Sequence, residues 1–354
     1  MNRGPKVAGI VAGAAAGVLA AGVAAGIAAE RYAVGRLRLG PDPEAREPFG
    51  RLRGRPLTVL ADDGVPLHVE IDGDDDADVT VVFCHGYGLR SDCWHYQRRY
   101  LRHLGRLVFW DQRSHGRSGR SPAEHCTIEQ LGRDLHAVLN AAVPRGPVVL
   151  MGHSMGGMTI MSLAERQPDL FGDRIVGVGF VASAADPVSV VARNLPVRLD
   201  RFTESVVGVL GKQVTFVEGA RRLGSDIGYL LVRRYAFGSR RVSPSVAAFQ
   251  ERMVNSTPMD VLSAFYPVFA AHDLRDALPI IDRVETLVVV GEDDRLTPVF
   301  HAETIVEALP GAEYVVVPGT GHMVMLEDPG IVNEAIGQLV DRALVAVRAG
   351  GKSA

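Results

Sequence analysis

The sequence predicts an α/β protein with a mostly parallel sheet that is covered by helices on both faces. Short apolar segments of strand length alternate with longer amphipathic segments along most of the chain. Strands that carry hydrophobic side chains at consecutive positions are typical of parallel sheets, which lie between two helical layers. A third observation is a Gly-rich turn between one such strand and a helix, in the pentapeptide Gly152-His153-Ser154-Met155-Gly156.

The individual elements follow from the hydrophobic pattern. The first two strands are separated by Asp62-Asp63-Gly64, which is a hairpin signal. A helix is predicted directly after the pentapeptide, and further helices are predicted at 128–142, 299–309 and 330–347. The predicted strands are 57–60, 67–71, 79–83, 107–110, 148–151, 175–182, 286–291 and 314–317.

The strand–helix alternation stops between residues 186 and 276, where helical patches occur without a clear strand. An insertion at this place predicts a helical cap over the carboxyl edge of the sheet, where it would control substrate access. The predicted chain begins with an N-terminal apolar anchor or signal segment at 1–39 and a linker at 40–56. The α/β core is predicted in two parts, 57–185 and 277–348, with the cap insertion at 186–276 between them and a tail at 349–354.

Residues 7–29 carry no charged side chain, and Arg3 and Lys6 precede them. A helix of this length could cross a bilayer core, so the sequence predicts membrane association through a single N-terminal span. Because the segment is mostly Ala and Gly, two alternatives stay open: a secretory signal that is cleaved, and a disordered or peripheral Ala-rich leader. The side of the membrane and the oligomeric state do not follow from the sequence.

The composition excludes some classes of partner. The net charge of -3 gives no overall positive field, so nucleic acid is not an expected partner. The three cysteines are an odd and sparse set, which does not indicate a disulfide framework, and no Cys/His spacing resembles a zinc site.

Ser154 is the predicted nucleophile. A sharp strand-to-helix turn exposes its central side chain at the carboxyl edge of the sheet and directs the N-terminal amides of the helix to the same point. A serine hydroxyl needs a base and an orienting acid, and in this arrangement the acid precedes the histidine in the chain. Asp294 and His322 follow the last two predicted strands, and Asp293 and Asp186 are alternatives for the acid.

Acyl transfer also requires amide donors at the developing oxyanion. The Met155 amide, directly after the nucleophile, is expected to supply one of them, and the Tyr87 amide, in the loop after the third strand, is expected to supply the other. His85 is expected to be structural, and Asp111, Arg113 and His115 are expected to brace the edge of the pocket.

Five motifs in this order resemble the α/β-hydrolase superfamily of serine hydrolases, over about residues 57–347 without the divergent insertion. They are His85-Gly86, Asp111-x-Arg113-x-His115-Gly116-x-Ser118, Gly152-His153-Ser154-Met155-Gly156-Gly157, Gly291-x-x-Asp294-x-x-x-Pro298 and Gly321-His322. The resemblance implies the α/β-hydrolase fold, a triad of Ser154, Asp294 and His322, and a pocket under the cap that needs no cofactor or metal. Epoxide hydrolases and haloalkane dehalogenases look similar but use an aspartate nucleophile, so Ser154 argues against both.

The resulting hypothesis is a carboxylesterase or lipase that cleaves a small-molecule acyl ester, which could be lipid-like, through an acyl-enzyme intermediate. One alternative uses the same triad as a cofactor-free perhydrolase, a haloperoxidase-like enzyme or another acyl or carbon–carbon bond hydrolase. A non-enzymatic alternative is a membrane-tethered pseudo-hydrolase that binds a lipid or a partner. The acyl and alcohol specificity does not follow from the sequence.

Overall fold

The computed structural model describes residue 35 and residues 39–188, 233–239 and 242–350. Its centre is one eight-stranded sheet with the strand order β1-β2-β4-β3-β5-β6-β7-β8. The strands are β1 (Arg55–Leu60), β2 (Pro66–Asp72), β3 (Thr80–Cys84), β4 (Arg106–Trp110), β5 (Val148–His153), β6 (Ile175–Val181), β7 (Glu285–Gly291) and β8 (Glu313–Val317).

Only β2 runs against its neighbours in this sheet. It pairs antiparallel with β1 through the predicted hairpin, in which Leu60 lies opposite Pro66, and antiparallel with β4 on its other side. The remaining pairs, from β4 to β8, are parallel. The predicted mostly parallel sheet is therefore confirmed, and the carboxyl ends of β3, β5, β7 and β8 lie at one edge.

Helices cover both faces of the sheet, as the apolar strands predict. On one face, α2 (Ile128–Ala142), α3 (Met155–Arg166) and α8 (Val299–Ala308) contribute to one buried cluster. On the other face, α1 (His95–Tyr100), α9 (Val324–Glu327) and α10 (Pro329–Gly350) contribute to a second. The six-residue helix α1 was not predicted, because the sequence HYQRRY has no apolar repeat.

The described part of the predicted insertion is helical. It contains α4 (Pro244–Ser256), α5 (Met259–Phe265) and α6 (Val268–Ala271), and the short helix α7 (Leu278–Ile281) follows before β7. Phe265 and Phe269 are buried in the same cluster as α2 and α3, so these helices pack on the core. The boundaries of a separate cap at 186–276 stay a prediction.

The predicted membrane anchor at residues 7–29 lies outside the described residues. Among the helices that the structure does describe, none combines the length and apolarity needed to span a bilayer. Membrane association therefore stays a prediction about the N-terminal segment.

Candidate active site

Ser154 occupies a strained turn between β5 and α3. Its backbone has φ 53° and ψ −119°, a conformation that side-chain-bearing residues rarely adopt. The turn is held by four hydrogen bonds. The Ser154 amide donates to the Val181 carbonyl at 3.0 Å, and the Ser154 carbonyl accepts from the Gly157 amide at 2.9 Å, the Met158 amide at 3.4 Å and the Ser183 hydroxyl at 2.8 Å. Because these bonds offset the strain, the half-buried side chain is fixed at the carboxyl edge of the sheet.

Glycine is required beside this serine because the backbones approach one another closely. A Cβ at Gly152 would lie 2.5 Å from the Gly157 amide nitrogen, and a Cβ at Gly156 would overlap the Cys84 carbonyl oxygen at the end of β3. The start of α3 can thus approach the ends of β3 and β5 only without side chains at these positions.

Asp294 and His322 meet at the ends of β7 and β8. The His322 Nδ1–H donates to Asp294 Oδ2 at 2.9 Å, and both residues are buried. Asp294 Oδ1 accepts from the amides of Leu296 at 2.8 Å and Thr297 at 2.9 Å. The Thr297 hydroxyl lies 2.9 Å from Asp294 Oδ2 and 3.2 Å from His322 Nδ1. These donors fix the carboxylate so that it orients the imidazole.

The two alternative acids contact other groups. Asp293 Oδ2 accepts from the Ser239 amide at 2.9 Å. The Ser239 side chain, as the largest cause, and this amide lower the Asp293 pKa. Asp186 Oδ1 accepts from His301 Nδ1 at 2.6 Å. In the part of the chain that the structure describes, neither carboxylate makes a hydrogen bond with the His322 ring. Of the three candidates, Asp294 has the geometry of an orienting acid.

Among the described residues, no hydrogen bond joins the His322 ring to the hydroxyl of Ser154. His153, its chain neighbour, donates from Nε2–H to the His322 carbonyl at 3.0 Å, and the two rings have centroids 4.8 Å apart. Hydrogen bonds of catalytic groups are often long before substrate binds and shorten in the complex. Proton transfer from Ser154 to the unbonded side of the His322 ring stays a prediction.

His153 is a functional candidate that the sequence reasoning missed. Its ring is fully buried, and burial is the largest cause that lowers its pKa well below the usual value, followed by the proximity of His322. The ring is therefore neutral, with its proton on Nε2, and Nδ1 has no hydrogen-bond partner in the described structure. The signal in the sequence was the histidine directly before the nucleophile, where it contacts the His322 backbone.

The loop after β3, which carries the Tyr87 amide, contacts the Ser154 turn through Gly86. A Cβ at Gly86 would lie 3.2 Å from Ser154 Cβ and 2.7 Å from His153 Nδ1, so this loop packs directly on the turn. Neither the Tyr87 amide nor the Met155 amide donates a hydrogen bond within the described residues. Free amides on both sides of a nucleophile are what an oxyanion site requires.

Buried polar side chains hold this loop in place, as expected for His85 and the 111–118 segment. His85 Nδ1–H donates to the Gly86 carbonyl at 2.8 Å, and His85 Nε2 accepts from the Gln112 amide at 2.9 Å. His115 Nε2 accepts from the Gly88 amide at 3.1 Å, and burial, its largest cause, lowers the His115 pKa to about 3. Neither ring is available as a base, because each is committed to backbone groups.

The neighbouring charged residues form a brace below the loop. Asp111 accepts from the Ser91 amide at 2.7 Å and from the Arg117 amide at 2.9 Å. The fully buried Arg113 donates to Asp134 at 2.6 and 2.7 Å and to Asp63 at 2.8 and 3.2 Å. In the described residues, no group of three or more His, Cys, Asp or Glu side chains is placed to hold a metal ion.

Comparisons with known proteins agree with this architecture. A model of the alpha/beta hydrolase family matches residues 81–335. Among curated proteins, a non-heme haloperoxidase from Rhodococcus erythropolis is 28% identical over 72% of this chain and 89% of its own length. A putative carbamate hydrolase RutD from Agrobacterium fabrum is 29% identical over 77% of this chain and 98% of its own length.

Solved structures show the same fold. A thermophilic esterase from Thermogutta terrifontis is 25% identical, with a TM-score of 0.66 over 81% of this chain and 98% of that chain. Est816, described as an N-acyl homoserine lactone degrading enzyme, is 26% identical, with a TM-score of 0.61 over 79% of this chain and 98% of that chain. With its family match, its sheet order and its strand-end motifs, this protein belongs to the alpha/beta hydrolase family.

Proposed function

We propose that this hydrolase cleaves carboxylic esters through an acyl-enzyme intermediate on Ser154. The observation that carries the proposal is the 2.9 Å hydrogen bond between His322 Nδ1 and Asp294 at the strand ends beside the strained Ser154 turn. An imidazole whose Nδ1 proton is held by a carboxylate presents its other nitrogen as a base. The esterase and lactone-degrading neighbours at 25% and 26% identity support ester chemistry.

The proposed reaction has two halves. His322 Nε2 takes the Ser154 proton while the serine oxygen attacks the acyl carbonyl carbon, and the Tyr87 and Met155 amides bind the oxyanion. Protonated His322 then gives its proton to the leaving alkoxide, which departs as the alcohol. In the second half, His322 takes a proton from water, the hydroxide attacks the acyl group, and the carboxylic acid leaves as Ser154 recovers its proton. Asp294 stabilises the charged imidazole in both halves.

Ser154→Ala tests this proposal, because it removes the nucleophilic oxygen. We expect ester turnover to fall by several orders of magnitude, since the three residues act as a unit. The matched control is Ser162→Ala in α3, the helix that follows Ser154; the buried Ser162 hydroxyl has no hydrogen-bond partner among the described residues. Esterase activity that survives in Ser154→Ala, or an equal loss in Ser162→Ala, would contradict the assignment.

Labelling with a fluorophosphonate probe separates the enzyme from a binding-only pseudo-hydrolase. An activated serine reacts with the probe, whereas an ordinary serine does not, so we expect label on Ser154 in the wild type only. A wild type that takes no label and turns over no ester would favour the binding-only alternative.

A second activity has specific support from the haloperoxidase relative at 28% identity. The same triad could form an acyl-enzyme that hydrogen peroxide, in place of water, then opens to a peracid. Turnover of acetate plus peroxide, measured beside ester turnover, distinguishes the two activities. Dominant ester hydrolysis supports the main proposal.

The proposed substrate class is a lipid-like ester, and this proposal depends on attachment of the protein to a membrane through its N-terminal segment. The uncharged run at residues 7–29 supports that attachment. Comparing the membrane-bound fraction of the full chain and of a chain that lacks residues 1–39 tests it, and a screen across acyl chain lengths tests the substrate.

A further inference from the structure

Glu327 lies at the end of α9, five positions after His322, and its half-buried carboxylate bonds two backbone segments at once. Oε1 accepts from the Gly321 amide at 2.8 Å, and Oε2 accepts from the Gly238 amide at 2.9 Å. Gly321 is the residue directly before His322. Gly238 belongs to residues 236–239, which we call the strap, in the described part of the insertion.

The strap packs on both loops that carry the proposed acid and base. The Met323 amide donates to the Ala236 carbonyl at 2.9 Å, and the Ser239 amide donates to Asp293 at 2.9 Å. The loop and the strap touch backbone to backbone, because a Cβ at Gly321 would lie 2.6 Å from the Gly238 nitrogen. The amides of Gly238 and Gly321 therefore lie close together, because neither residue has a side chain that would separate the two backbones.

A carboxylate is suited to this position for a chemical reason. Both of its oxygens accept hydrogen bonds, and charge-assisted bonds to amides are stronger than bonds between neutral groups. A protonated carboxyl or a glutamine side chain keeps one good acceptor and presents a donor at the other position. The backbone amide of one of the two segments would then face another hydrogen-bond donor and lose its acceptor.

We propose that Glu327 is a positioning residue that bonds the His322 loop to the strap and thereby holds the imidazole in line with Asp294. The inference rests on the proposed function, because it acts through His322. Within the described residues, no hydrogen bond joins Glu327 to the His322 ring. Its contribution is the placement of the Gly321 amide, and with it the backbone that carries His322.

The environment makes this contact sensitive to pH. Burial is the largest influence and raises the pKa of Glu327 to about 7, opposed by the Gly238 and Gly321 amides. Asp294 also raises this pKa, while His322 lowers it. Glu327 also lines a surface cavity of about 410 Å³. The titratable or charged side chains that line the same cavity are Glu44, Arg46, Glu47, Tyr96, Arg99 and Tyr100.

The test compares Glu327→Gln with Glu292→Gln. Glu292 is a matched control, because its exposed carboxylate accepts from the Gly319 amide of the same loop at 3.0 Å. We expect Glu327→Gln to lower kcat about 10- to 100-fold, as small misplacements of reacting groups do. We expect KM to change less than about twofold, because substrate contacts are untouched. Glu292→Gln should match the wild type.

The pH profile distinguishes positioning from a general structural role. Glu327 must be ionised for the wild type to act, so the acidic side of its pH profile contains the ionisation of this carboxyl. In Glu327→Gln this ionisation should be missing from the profile. A variant with the kcat and the acidic limb of the wild type would overturn the proposal.

Two further measurements keep the outcomes separate. If the wild type shows no fluorophosphonate labelling of Ser154, the proposed function fails, whatever Glu327 does. If Glu327→Gln does not fold, hydrogen exchange on the wild type replaces it. The Gly238 and Gly321 amides should lose protection together as pH falls through about 7, after correction for intrinsic exchange. Protection that stays constant through this range would overturn the proposal.

Discussion

Replacing Asp294 with asparagine should silence the enzyme by reversing the histidine tautomer. Asp294 Oδ1 accepts two backbone amides, from Leu296 and Thr297, at 2.8 and 2.9 Å, while Oδ2 accepts from His322 Nδ1–H at 2.9 Å. Asparagine offers one oxygen and one NH₂ group. Directing the NH₂ group at the two amides would leave two buried donors unpaired, at about 1–3 kcal/mol each.

The asparagine oxygen should therefore take the position of Oδ1 and accept from the two backbone amides, so that the asparagine NH₂ group faces His322. The imidazole must then accept at Nδ1 and carry its proton on Nε2, where it cannot take the Ser154 proton. We expect kcat to fall about 10⁴-fold, the size known for this tautomer reversal in a serine protease. That loss corresponds to about 5 kcal/mol of transition-state stabilisation.

The assay is steady-state ester turnover with purified wild type, Asp294→Asn and Asp293→Asn, with circular dichroism to verify folding. Asp293→Asn is the matched control, because an asparagine oxygen at that position can still accept from the Ser239 amide. It should retain most of the activity. An Asp294→Asn variant within about tenfold of the wild type, or an equal loss in Asp293→Asn, would refute the reasoning.

Three further predictions follow from the same contacts. Gly86→Ala should lower kcat and the melting temperature, because its Cβ would lie 2.7 Å from His153 Nδ1; turnover and thermal unfolding measure this. Arg113→Met should destabilise the fold by about 3–5 kcal/mol in urea unfolding, because it removes the cation that pairs with the buried Asp134. The free energy of unfolding of the wild type, compared with that of Glu327→Gln, should fall as pH rises from about 4.5 to about 7, because folding raises the Glu327 pKa to about 7. Urea unfolding of both proteins across this pH range measures the difference, and a constant difference would contradict the prediction.

The sequence was most informative where strand ends carry motifs. The alternation of apolar strands and helices predicted the parallel sheet, and the topology explains why residues far apart in sequence reach one edge. Ser154, Asp294 and His322 could be proposed because each lies in the turn or loop that follows a strand. In such cases the hydrophobic pattern fixes the position of the side chain to within one loop.

Side-chain direction within a loop could not be predicted in the same way. Asp293 and Asp294 are neighbours with equal chemistry, and only the turn after β7 directs one carboxylate to His322 and the other to the Ser239 amide. The contact of His153 with the His322 carbonyl depends on packing between β5 and the β8 loop. Glu327 escaped notice because its partners are backbone amides, which leave no pattern in a sequence.

Glu327 also sets activity and stability against each other. Its pKa is raised from 4.5 to about 7 in the folded state, so ionising it there costs about 3 kcal/mol more than in the unfolded chain. That cost is absent below about pH 4.5 and complete above about pH 7. The proposed positioning role requires the ionised form, in which both oxygens accept. The pH range in which the His322 loop is best held for catalysis is therefore the range in which this carboxylate most destabilises the fold, and Glu327→Gln should relieve the second effect while it removes the first.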